Sequence, residues 1–116
     1  MPHDVIDRET LDGLVASTDM AFVKELIDAY LEDSPELISA LQESLAAGKG
    51  VEFTRAAHTL KSSSASVGAA GLSALAKELE LMAKESNLGG AGPKVEQLAG
   101  LYQRTQAALM AFRNGS

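Results

Sequence analysis

No stretch of this chain alternates apolar and polar residues in the manner of a strand; its apolar residues recur at i, i+3, i+4 and i+7. That spacing gathers them on one face of an α-helix, so an all-helical fold is expected. Only 4% of the residues are aromatic although 46% are hydrophobic, which leaves Leu, Val, Ile, Ala and Met to build the core. At 116 residues the chain is long enough for one domain with one core, about 7–112, within 1–116.

Residues 1–6 read as a loose lead-in. Asp7 is a suitable N-cap for a short helix with Leu11, Leu14 and Val15 on its apolar side. Ser17, Thr18 and Asp19 break it. Asp19 then caps a second helix, about 20–33, with Phe22, Val23, Leu26, Ile27, Tyr30 and Leu31 inward. Ser34-Pro35-Glu36 is a restart signal, because Ser caps and Pro is tolerated at the first helical position. A third helix to about Ala47 carries Leu37, Ile38, Leu41 and Leu45, and Gly48-Lys49-Gly50 ends it. A fourth, about 51–66, places Phe53, Ala56, Ala57, Leu60 and Ser64 together, with Gly68 suited to a left-handed cap. A fifth, about 70–86, aligns Leu72, Leu75, Ala76, Leu79, Met82 and Ala83. After a Gly-rich connector at 87–93, a last helix of about 94–112 carries Val95, Leu98, Leu101, Tyr102, Leu109 and Phe112. Helices with one apolar stripe each must pack on one another. The expected architecture is an antiparallel four-helix bundle of the last four helices, with one or two additional N-terminal helices capping or extending one end.

Several functions are excluded or disfavoured. Without cysteine there is no disulfide, no thiolate metal site and no thiol nucleophile. His3 and His58 lie too far apart to form a metal motif. No apolar run is long enough to cross a bilayer and the first residues do not resemble a signal peptide, so a cytoplasmic location is expected. Ten basic residues face 16 acidic ones, for a net charge of −6 and no basic cluster. Neither nucleic acid nor an anionic membrane is an expected partner.

One surface stands out on the fourth helix. With Phe53 at zero and about 100° per residue, Leu60 and Ser64 fall within about 20° of it, on the buried side, whereas His58 falls at about 140°, on the outer face. Thr54 lies one turn before His58, and Lys61, Ser62 and Ala65 follow within two turns, with Arg55 on the same exposed side. Four serines in the five positions 62–66 weaken a helix unless small side chains are wanted there. They leave room for another protein to come close to a projecting imidazole. Histidine is among the side chains that form covalent intermediates. A solvated surface histidine is the plain alternative, and Lys61 and Arg55 are by the same standard ordinary helix charges.

The stretch Ala57-His58-Thr59-Leu60-Lys61-Ser62-Ser63-Ser64-Ala65-Ser66-Val67-Gly68 resembles the signature of the histidine-containing phosphotransfer (HPt) domains, and the resemblance covers roughly residues 7–112. It implies a phosphorelay intermediate. His58 would accept a phosphoryl group through Nε2 from the aspartyl phosphate of a response-regulator receiver and pass it to another receiver or back. Lys61 would help hold the phosphoryl oxygens, and Ser62 departs from the family's common Gly while staying small. Glu80, at about 80° on its own helix beside the core stripe, would accept from Nδ1–H and fix the tautomer, with Lys84 one turn on adding positive charge. Thr54, Arg55, Ser62, Ala65 and Lys84 would form the docking surface, with Phe22, Leu26 and Val51 as its apolar part. Receiver domains or a hybrid histidine kinase are the implied partners, and a monomer is expected; the short ends fit a free-standing protein or an excised domain of a hybrid kinase. Magnesium would belong to the receiver, so no metal or cofactor is expected here. There is no Gly-rich nucleotide loop, and Thr59 with no nearby Pro departs from the histidine-kinase dimerisation signature. A binding module that docks receivers without taking phosphate is the alternative. A small helical enzyme is disfavoured for want of paired carboxylates or a nucleophile–base pair.

Overall fold

The computed structural model describes residues 5–115; His3 and most of the lead-in lie outside them. Five helices follow in order: α1 (Arg8–Ser17), α2 (Met20–Ala47), α3 (Gly50–Ser66), α4 (Ala70–Lys84) and α5 (Gly92–Arg113). One 3₁₀ turn, Leu88–Gly90, sits in the connector before α5. The expected caps are in place. Asp7 accepts from the Glu9 amide and Asp19 from the Phe22 amide. Helix α3 packs on α2 and α4, and α5 closes the ring by packing on the same two. Short connectors make successive helices antiparallel, which is the up-down bundle the apolar stripes called for.

The Ser34-Pro35-Glu36 break does not occur. Helix α2 runs without interruption through Pro35 for 28 residues. A mid-helix proline costs about 3 kcal/mol, while each buried Leu or Ile contributes about 1.5–3 kcal/mol. Ile27 and Tyr30 before the proline and Ile38 and Leu41 after it are all core residues, so straight packing on α3 and α5 outweighs the break. Pro35 itself is exposed, with its ring away from the core. Ser34 is fully buried and its hydroxyl stands 2.8 Å from that of Tyr102 on α5. The residue read as a cap is instead a cross-helix polar contact.

At about 1.5 Å per residue α2 is about 42 Å long, the full 42 Å of the molecule, and α3 is much shorter. The N-terminal overhang of α2 is what α1 covers. Phe22, expected inward, lies on this overhang and stays 45% exposed. Leu11 of α1 is fully buried, and the Arg8 guanidinium sits 5.0 Å over the Phe112 ring of α5. The link from α1 to the bundle is Gly68. Its φ of +73° turns the chain out of α3, and its carbonyl accepts from the Asp7 amide at 2.6 Å. A Cβ at Gly68 would fall 2.8 Å from the Asp7 carbonyl oxygen. Gly68→Ala is therefore expected to destabilise the fold by about 1–3 kcal/mol, through left-handed strain and displacement of α1. Denaturant melts would measure the loss, and amide exchange should rise first in α1. An unchanged midpoint would show that α1 is not anchored there.

Candidate functional site

Helix α3 turns its small-residue side outward and its Phe53, Ala57 and Leu60 side inward, where all three are fully buried. Two side-chain contacts fix that rotation. Ser64 is buried, with its hydroxyl 2.7 Å from the Tyr30 hydroxyl of α2. Ser73 of α4 donates through its hydroxyl to the Lys61 carbonyl at 2.9 Å. Burial pushes the Tyr30 hydroxyl up to about 12, so it remains a neutral hydrogen-bonding group. Periodicity places Ser64 and Tyr30 inward without pairing them, and it gives no signal for the Ser73 contact.

His58 emerges from this face with its side chain 60% exposed. Its Nδ1 lies 2.9 Å from Glu80 Oε2 on α4. Glu80 is buried, although the wheel placed it only beside the core stripe. Its other oxygen accepts from Lys61 Nζ at 2.8 Å, and Lys84 Nζ stands 3.4 Å from Oε2. A carboxylate buried without partners would cost several kcal/mol; this one is surrounded by nitrogen donors. The hydrogen bond from Lys61 is the main reason its carboxyl group is held down at about 2 against burial, with smaller help from His58 and Lys84. At neutral pH Glu80 is therefore an acceptor only. The proton in the His58–Glu80 bond belongs to Nδ1, and in the neutral ring Nε2 carries the free lone pair.

The structure brings six of the expected residues into one cleft between α3 and α4. Thr54, Arg55 and His58 line one wall, Lys84 the other, and Glu80 is at the base; Val51 and Ala83 add apolar surface. Val51 is 70% exposed. Ser62 and Ala65 are exposed on α3 outside this cleft. Leu26 lines a different groove, between α2 and α3, together with Thr59, Ser63 and Val67. Phe22 lines neither. Lys61 has its ammonium on Glu80 Oε1. Among the described residues no helix is long and apolar enough to cross a membrane, and no cluster of three or more potential metal-ligating side chains occurs.

The Glu80 contacts have a pH signature. Its folded-state value lies below the ordinary carboxylate value of 4.5, so its contribution to stability is present in full above that value. The contribution is lost as the pH falls from about 4.5 towards 2. Denaturant midpoints of the wild type should therefore drop through that window. Those of Glu80→Gln should start lower and change less; parallel curves would contradict the buried ion cluster.

Comparison with known proteins agrees with this geometry. The Hpt domain family model matches residues 25–108. The phosphorelay protein LuxU of Vibrio harveyi is 27% identical over 114 residues, covering 98% of this chain and 100% of that protein. The crystal structure of histidine-containing phosphotransfer protein B (HptB) from Pseudomonas aeruginosa PAO1 superposes with a TM-score of 0.91 at 25% identity, over 99% of each chain. An all-helical bundle that presents an imidazole on a buried carboxylate thus has its relatives among phosphorelay proteins, and the chain belongs to the Hpt domain family, as a histidine phosphotransfer protein of phosphorelays.

Proposed function

We propose that His58 is the phosphoacceptor and that it exchanges phosphoryl groups with aspartyl phosphates of response-regulator receiver domains. The observation that carries this reading is the Glu80 carboxylate on Nδ1, which leaves Nε2 as the nucleophilic nitrogen of a largely exposed ring. In the forward step the P–O bond to the receiver aspartate breaks, and its electron pair stays on the carboxylate. A P–Nε2 bond forms. The Nδ1 proton remains on the ring, and the positive charge that the ring acquires lies against Glu80. The reverse step expels a neutral imidazole, so the same contact serves transfer in both directions.

The chain's part in this is that of a carrier without its own kinase or ATP site, because the phosphoryl group comes already activated, as the receiver's acyl phosphate. We assign magnesium to the partner receiver. The one carboxylate beside His58 is already taken up by nitrogen donors, which is no oxygen ligand set for a hard cation. A monomer working in the cytoplasm suits an exposed docking face of this kind. That face comprises Thr54, Arg55 and Lys84 at the cleft and Ser62 and Ala65 along the outer side of α3.

His58→Gln should take no label from a phosphorylated receiver while keeping its helical circular dichroism. Retained label on histidine would sink the assignment. Binding of receiver without any acid-labile, base-stable label on the wild type would favour a pure docking module. Ser62→Arg should weaken receiver binding at least tenfold with little change in melting temperature. The side chain is exposed, so the added bulk meets the partner and not the core. Equal losses in binding and stability would contradict that placement.

A further inference from the structure

The cleft beside His58 is one-sided. Its α3 wall is made by Gly50, Val51, Thr54 and Arg55, all of which precede the histidine, and by no residue that follows it. The asymmetry has a local cause. Every Cα–Cβ bond of an α-helix tilts towards the N-terminus, so a long side chain leans over the turn before its own. The turn before His58 carries Thr54, four residues earlier in α3, and such neighbours have Cβ atoms about 5–6 Å apart. With Nδ1 held on Glu80 at 2.9 Å, Nε2 is left on the open side of the ring.

Apart from the ring itself, Thr54 is the one neutral side-chain donor of the cleft among the described residues. It is half-buried. Other helical hydroxyls of the chain turn back on their own helix. Ser44 donates to the Ala40 carbonyl at 2.6 Å, Ser66 to the Ser62 carbonyl at 3.1 Å and Thr105 to the Leu101 carbonyl at 2.9 Å; among the described residues the Thr54 hydroxyl makes no such bond. Branching at Cβ leaves threonine few rotamers, so this hydroxyl is nearly set before anything enters the cleft. A phosphoryl group on Nε2 extends from the leaning ring over the same turn. A short donor already in place there needs little reorganisation as charge shifts among the phosphoryl oxygens. The exposed Arg55 side chain, by contrast, has rotamer freedom to lose first.

We propose that Thr54 is a catalytic residue whose hydroxyl donates to an oxygen of the phosphoryl group at His58 Nε2, a role beyond contact with a docked partner. This rests on His58 being the phosphoacceptor. The loose transition state spreads charge over three phosphoryl oxygens, and the Thr54 O–H is hydrogen-bonded to one of them as the bond to the donor breaks and P–Nε2 forms. The threonine keeps its proton throughout, the ring keeps its Nδ1 proton, and nothing is oxidised or reduced. Because the contact is to the group transferred, it acts on any phosphoryl donor, whether or not a protein delivers it.

The test uses the full chain with phosphoramidate, a donor too small to dock on a protein face. Its P–N bond breaks, ammonia leaves with the electron pair, and phosphohistidine is followed by ³¹P NMR. Thr54→Val keeps the shape of the side chain and removes the donor; it is expected to slow labelling by about fivefold or more. Thr54→Ser, which keeps the hydroxyl, is expected to restore most of the rate. The His58 Nδ1–H resonance and the melting temperature of Thr54→Val are expected to stay near wild type. A smaller slowing with phosphoramidate overturns the proposal, and if transfer from a receiver alone is slowed, Thr54 is a docking residue only. Thr54→Ser as slow as Thr54→Val, or a displaced Nδ1–H resonance in Thr54→Val, overturns it as well, the latter by making the role structural. Absence of phosphohistidine in the wild type, or equal label in His58→Gln, overturns the phosphoacceptor reading itself. That outcome is distinct from a wild-type signal indifferent to Thr54.

Discussion

The buried Glu80 carboxylate is the interaction on which the rest of the site depends. It sits where α3 and α4 meet and takes donors from both helices, His58 and Lys61 from one and Lys84 from its own. Its charge persists because Lys61 outweighs burial, and its charge in turn decides which ring nitrogen of His58 holds the proton. A helix rotation of one residue, about 100°, would separate these groups. The site therefore requires a bundle that allows no such rotation.

The packing supplies that constraint. The inward face of α3 is anchored by fully buried Phe53, Ala57 and Leu60, and its register is set by hydroxyl contacts to α2 and α4. Dispersion and burial hold helices together but are tolerant of rotation, whereas a hydrogen bond at 2.7 Å is not. The serine run serves two ends. Ser64 faces in and locks the helix, while Ser62 faces out and keeps the surface low around the imidazole.

Much of this was legible from residue order. The 3.6-residue period placed His58 outside and Phe53, Leu60 and Ser64 inside, and it put Glu80 beside the core stripe of its own helix. The family resemblance pointed to Glu80 as the ring's partner. The readings that changed all turned on competition between local preference and tertiary contact. Pro35 is a locally sound helix start, yet α2 continues through it because core residues on both sides pack on the same neighbours. Phe22 has the right period for the core, but lies on an overhang where little covers it.

The sequence by itself determined the all-helical class, the apolar faces that had to be buried together, the exposed imidazole and the small side chains around it. Each of these follows from the periodicity and size of side chains, which are local properties. Only the tertiary structure decided how the nitrogens of His58, Lys61 and Lys84 are shared between the two oxygens of Glu80. That division depends on distances of a few tenths of an ångström between side chains on two helices, and such distances exist only once the bundle has packed.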